Sequence, residues 1–315
     1  MKKLVLFALA AVMMVTGACQ KSNVGAPEGD TADVTFSIEL PTDLSTKAIG
    51  DGTSATELYY AVFSQDGQYV KSLAQTAPAA VVGKLAQLKL QLVKNYTYTV
   101  VFWAQAPGAP YTFAPETATV KVSYKGNAND EKRDAFCQVQ TVVVPDASTF
   151  TENVYLRRPF AQINFGAKDY APIEELGLSM TSTVHISGLA DTYNILNGTV
   201  SGDASTELAA AAAPAEELVA GKNTYRYVSM NYILAPVNEY DAAGKVVVAQ
   251  SELANVTATF TYNGKSVQVD VPNVPFQRNF RTNIVGDFFT GNVTFNIIVD
   301  EDFYTPDYTA DPINR

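Results

Sequence analysis

Histidine occurs once in this chain of 315 residues, tryptophan once and cysteine twice. A Cys/His zinc site or a histidine-based triad therefore has almost no material. Charge is scarce as well: 17% of residues carry it, and 22 Lys and Arg face 32 Asp and Glu for a net charge of -10. No basic run is present, and phosphate binding needs clustered cations to release counterions, so nucleic acid is excluded as a partner. Gly-x-Ser-x-Gly, His-Glu-x-x-His and phosphate-loop patterns are absent. A glycosidase would need a cleft with two carboxylates, and nothing in the sequence marks one. The chain reads as a non-enzyme without cofactor or metal. Its length is enough for about two domains, each with a real core.

What is plentiful is Thr, Val, Tyr and Phe, the residue bias of β-sheet. From Val34 the chain alternates, with Val34, Phe36, Ile38 and Leu40 apolar and Thr35, Ser37 and Glu39 polar between them. That is a half-buried strand closed by Pro41. Leu58 to Ser64 reads as a second strand, with a hairpin turn at Asp66-Gly67. Lys84 to Leu92, Tyr96 to Ala104, Thr117 to Tyr124, Gln138 to Val144 and Asn153 to Leu156 follow. Tyr98, Val100 and Phe102 share one face of their strand and Val101 and Trp103 the other, which predicts burial on both sides.

A boundary is expected near Arg157-Arg158-Pro159. Beyond it Phe160 to Phe165 alternates, strands are predicted over 178–186, 225–234, 245–250, 256–262, 266–271 and 293–299, and 194–200 reads as a hairpin around Asn197-Gly198. Asn263-Gly264 between two alternating runs marks a tight hairpin. Ser205 to Gly221, with the run Ala209 to Ala213, reads as a short helix or a surface loop insertion, since alanine is the best helix former. About seven short strands per half indicate an all-β chain of two tandem β-sandwiches, residues 33–157 and 158–303, with a tail at 304–315.

The N-terminus is an address. Lys2 and Lys3 precede a run of apolar residues from Leu4 to Val15, then Thr16-Gly17-Ala18-Cys19. This is a secretory signal over residues 1–18, too short for a comfortable membrane span. Gly17 and Ala18 before Cys19 resemble a bacterial lipoprotein box, in which the cysteine is lipidated; the plainer alternative is an ordinary secretory signal. A diacylglyceryl cysteine would supply the double anchor that stable attachment needs. Residues 19–32 then form a polar Gly/Pro tether. Cys137 would be left without a disulfide partner, as a buried small hydrophobe.

Other candidate chemistry has a plain structural reading. His185 stands alone inside a predicted strand. Asp300-Glu301-Asp302 lacks the oxygen-rich loop that calcium requires, and Asn127 to Glu131 reads as a loop. Trp103 and Tyr111 raise the alternative of an intact, monomeric surface lipoprotein that binds glycans through exposed aromatic rings.

Four stretches resemble the fimbrillin lipoproteins of the Bacteroidales, subunits of protease-assembled surface pili. They are the signal ending at Cys19, Thr46 to Gly52 ahead of the Leu58 strand, Leu156 to Phe165, and Val274 to Asp287. The resemblance implies transthyretin-like sandwiches, an outer-membrane lipid anchor at Cys19, a surface or fimbrial location, cell adhesion, and polymerisation with other pilus subunits by strand exchange after trypsin-like cleavage. A host or bacterial surface receptor is a further expected partner. The matching cut falls between Lys47 and Ala48; Lys47 is the only basic residue between Lys21 and Lys71. Removing strand 34–40 would withdraw four core side chains, about 6 to 12 kcal/mol of burial before entropy, and open a sheet edge to a strand from another subunit. The segment Asp300 to Arg315 is polar and interrupted by Pro306 and Pro312, a poor donor strand, which points to a tip, anchor or accessory position rather than the stalk.

Overall fold

Alternating and doubly apolar runs give strands almost throughout. The computed structural model describes residues 27–41, 49–237, 239–240, 246–248, 252–290 and 293–300. Cys19, Lys47 and Ala48 lie outside the described residues. The leading strand, Thr31–Glu39, is the middle of a three-stranded sheet, parallel to Thr149–Tyr155 and antiparallel to Leu85–Val93. A four-stranded sheet, in the order Ala79–Ala80, Glu57–Ser64, Thr97–Gln105 and Phe136–Val143, packs against it. The core between them holds Val34, Phe36, Ile38 and Leu40 together with Leu58, Tyr60, Val100 and Phe102. Phe36 and Phe102 meet with ring centroids 5.5 Å apart.

Thr97–Gln105 is buried on both faces, as its pattern predicts. Val101 and Trp103, on its far face, join a second core that continues into the C-terminal half through Phe160, Ile163 and Phe165. That half carries one five-stranded sheet in the order Glu217–Ala220, Asn223–Leu234, Phe160–Ala167, Arg281–Asp287 and Thr294–Asp300. Its second sheet runs Ala204–Ser205, Met180–Leu189, Glu252–Tyr262 and Lys265–Phe276, with Ala211–Ala212 added beside Met180–Leu189. The Asn263-Gly264 turn has both residues at positive φ, 46° and 71°, as a two-residue hairpin requires.

Two small sheets straddle the Arg157–Pro159 region. Thr119–Val122 pairs with Thr192–Asn194, and Lys125–Asn127 runs parallel to Glu207–Ala209. Of the two readings of Ser205 to Gly221, a short helix or a surface loop insertion, the helix is not formed. Ala204–Ser205, Glu207–Ala209, Ala211–Ala212 and Glu217–Ala220 are short strands, because each finds an open edge to pair with. The alternation in Phe160–Ala167 does not mean one wet face: Gln162 and Asn164 are as buried as their apolar neighbours, since both faces of this strand are covered.

Candidate functional site

The leading strand is held along its whole length. Val34 lies opposite Phe150 on one side and Leu90 on the other; Phe36 faces Glu152 and Leu88, and Ile38 faces Val154 and Ala86. Val34, Phe36 and Ile38, with Leu40 just past the strand, are each at most 1% exposed. The ladder is tied at both ends: Asp33 N donates to Ser148 O at 2.9 Å, and Leu156 N donates to Glu39 O at 2.8 Å. Among the described residues, its two neighbours pair with no other strand of this sheet. Withdrawing the strand would therefore leave a slot with a row of main-chain donors and acceptors on each wall, where the sequence suggested a single opened edge.

Just past residues 42–48 the chain is pinned where the two halves meet. Ile49 is buried, and its carbonyl accepts from Arg281 Nη2 at 3.1 Å. Gly50 N donates to Glu131 Oε2 at 2.9 Å, and Gly50 O accepts from Arg158 Nη2. Ser54 Oγ donates to the Glu131 carbonyl at 3.0 Å, and Tyr232 Oη to Glu131 Oε1 at 3.2 Å. Arg158 also grips Asp134 through two bonds, Nε to Oδ1 at 2.8 Å and Nη2 to Oδ2 at 3.0 Å. Burial, and then the nearby Asp134 carboxylate, push the Glu131 carboxyl up to about 7. Burial raises Asp134 too, against the pull of Arg158. Gly52 sits at φ +75°, where a Cβ would come within 2.8 Å of the Phe136 ring, so only glycine threads this bend without strain.

At the far end of the chain lies a feature that the reading of Asp300 to Arg315 missed. Val293-Thr294-Phe295-Asn296-Ile297-Ile298-Val299 matches Val34-Thr35-Phe36-Ser37-Ile38-Glu39-Leu40 at four of seven places, Val, Thr, Phe and Ile, and keeps an apolar residue at the seventh. In the leading strand the apolar set is buried. In and just before Thr294–Asp300, the last strand among the described residues, Val293, Phe295, Ile297 and Val299 are 40%, 36%, 37% and 44% exposed. Thr294–Asp300 is an edge strand, antiparallel to Arg281–Asp287 and paired on no other side among the described residues. The shared Val-Thr-Phe-x-Ile pattern was the available signal.

The remaining candidates have structural roles. Trp103 is fully buried, its Nε1 donating to Gln105 Oε1 at 2.8 Å, and Tyr111 packs against it with ring centroids 5.5 Å apart. Neither ring offers a face to a sugar. His185 Nδ1 lies 3.0 Å from Thr206 O at a strand edge. Cys137 is buried beside Tyr193 Oη and Arg278, and burial raises its thiol. A cleft of about 640 Å³ lies between Tyr111–Ala114 and Ala204–Ser205, but its charged side chains are partly spent on each other, Lys121 on Asp191 at 2.6 Å and Lys125 on Glu207 at 3.1 Å. Among the described residues, no helix is long and apolar enough to cross a membrane.

A family model described as "Family of unknown function (DUF6562)" matches residues 27–313. No curated protein matches the sequence. Similar solved structures include a fimbrial assembly protein from Parabacteroides distasonis, at 16% identity, covering 86% of this chain and 100% of that one, with a TM-score of 0.43. Another is the tip fimbrial protein Mfa3 from Porphyromonas gingivalis with C-terminal truncation, at 11% identity, covering 86% and 99%, with a TM-score of 0.45.

Proposed function

The chain belongs to this family, DUF6562, and we propose that it is a surface-anchored pilus component, lipidated at Cys19 on the outer membrane, that polymerises by strand exchange and serves adhesion rather than catalysis. An external protease hydrolyses the Lys47–Ala48 bond, water leaving a carboxylate on Lys47 and an ammonium on Ala48. Strand 34–40 then departs, and the last strand of another copy, or of a subunit with the same pattern, enters the slot. The observation that carries this reading is the twin heptapeptide: the slot is lined for Val, Phe, Ile and Leu in alternation, and residues 293–299 present Val, Phe, Ile and Val in the same order, exposed. Main-chain bonds on both walls would supply affinity and the alternating side chains the register.

With that donor available, the position in a pilus is not limited to a tip, anchor or accessory place. Buried Trp103 and Tyr111 leave the glycan-binding alternative without its aromatic platform. The test is the N-terminus and assembly state of protein sheared from its native cells. Chains starting at Ala48 in polymers that vanish with Phe295→Asp support strand exchange. Intact chains starting at Cys19, as monomers, overturn it.

A further inference from the structure

We propose that Leu85 and Tyr155 form an apolar docking pair on the rim of the slot for Ile298 of a second copy, and that Glu39 keeps the chain's own strand from filling it; this rests on the strand exchange proposed above. Residues opposite one another in neighbouring strands point to the same face of a sheet, and such cross-strand pairs are the unit of its stability. Glu39 lies opposite Tyr155 on one side and Leu85 on the other. The three side chains therefore stand in a row on the outer face, a carboxylate between two apolar groups. Leu85 is 57% exposed and Tyr155 37%, so neither is covered by the strand between them.

In the register that puts Val293, Phe295 and Ile297 in the places of Val34, Phe36 and Ile38, Ile298 takes the place of Glu39. A row of Leu, Glu and Tyr becomes a row of Leu, Ile and Tyr, apolar throughout. The neighbouring outward place changes in the same sense. Ser37 lies between Gln87 and Asn153; Asn296 in its place completes a row of three amides, each able to donate to and accept from the next. Thr294 replaces Thr35, and nothing changes there. In its own sheet Ile298 lies opposite Asn283, with no strand on its other side among the described residues. The outer rows thus suit the guest better than the resident strand. That difference gives exchange a direction, and it fixes the register, because a guest slipped by two residues breaks both rows.

The uncut chain supplies the first test. Glu39→Ile is expected to raise the folding equilibrium constant about tenfold in urea unfolding, the gain of two apolar cross-strand pairs. In a Leu85→Thr, Tyr155→Thr background most of that gain is expected to vanish. An equal gain in both backgrounds, or no gain in the otherwise unaltered chain, would overturn the docking pair. Chain cut after Lys47 by a lysine-specific endoprotease is then titrated with fluorescent peptides of residues 293–299. The Ile298→Glu peptide is expected to bind about tenfold more weakly than the unaltered one, and the difference to disappear in the Leu85→Thr, Tyr155→Thr chain. Equal binding of the two peptides sinks the docking pair and leaves strand exchange standing. Binding by neither peptide overturns strand exchange itself, and the docking of Ile298 with it.

Discussion

Phe36 and Phe295 occupy the same place in two heptapeptides that share four of seven residues, yet one ring is fully buried and the other more than a third exposed. Phe36→Ala should cost about 3 to 5 kcal/mol of stability, the price of a large cavity against Phe102. Phe295→Ala should change the monomer by about 0.5 kcal/mol at most while weakening assembly. Urea unfolding of both variants, with sedimentation of the cut protein, checks the contrast. The alternation over Val34 to Leu40 was enough to place the core residues of this strand, because its period is local. Alternation alone does not say where Gln162 and Asn164 lie. These are buried amides, Asn164 Nδ2 donating to Gln162 Oε1 at 3.1 Å and to Asn283 Oδ1 at 2.9 Å. Whether a polar strand face meets water or another layer is decided by residues over a hundred positions away.

The last of the described strands is an edge of its sheet, and one glycine permits it to be there. A Cβ on Gly286 would lie 1.9 Å from the carbonyl oxygen of Thr294. Gly286→Ala should therefore break the pairing of Thr294–Asp300 with Arg281–Asp287 while the rest of the fold persists. Amide exchange confined to residues 294–300 would show it; a chain with unchanged protection there would contradict the close approach. The stretch from Ala204 to Ala220 teaches the converse lesson about legibility. Alanine's helix preference is worth only tenths of a kcal/mol per residue and a five-residue run cannot nucleate, so edges offered by Lys125–Asn127 and Met180–Leu189 take these residues as strands. Those edges exist only in the folded chain and leave no trace in the local sequence.

At the scale of the molecule the two halves are sewn together by shared small sheets and by the buried Arg158–Asp134 pair. Thermal unfolding should accordingly show one transition, and residues 33–157 expressed alone should lose cooperative unfolding; a separate, reversible melt of that fragment would refute the coupling. The pH dependence has a definite sign. Glu131 titrates near 7 in the fold against 4.5 when unfolded, so the folded chain binds the extra proton between those values. This contribution is complete below about pH 4.5 and lost as pH rises through 7. Stability should fall over that window, and Glu131→Gln should flatten the fall, as melting temperatures from pH 5 to pH 8 would record.

The strand that fills the slot runs with one neighbour and against the other. Its two walls are therefore not interchangeable, and a guest turned end for end would meet the wrong ladder on both sides. Any chain of copies joined through this slot has a built-in arrow: an open receptacle at one extremity and a bare plug at the other, so that growth, capping and anchorage are chemically different events at its two ends.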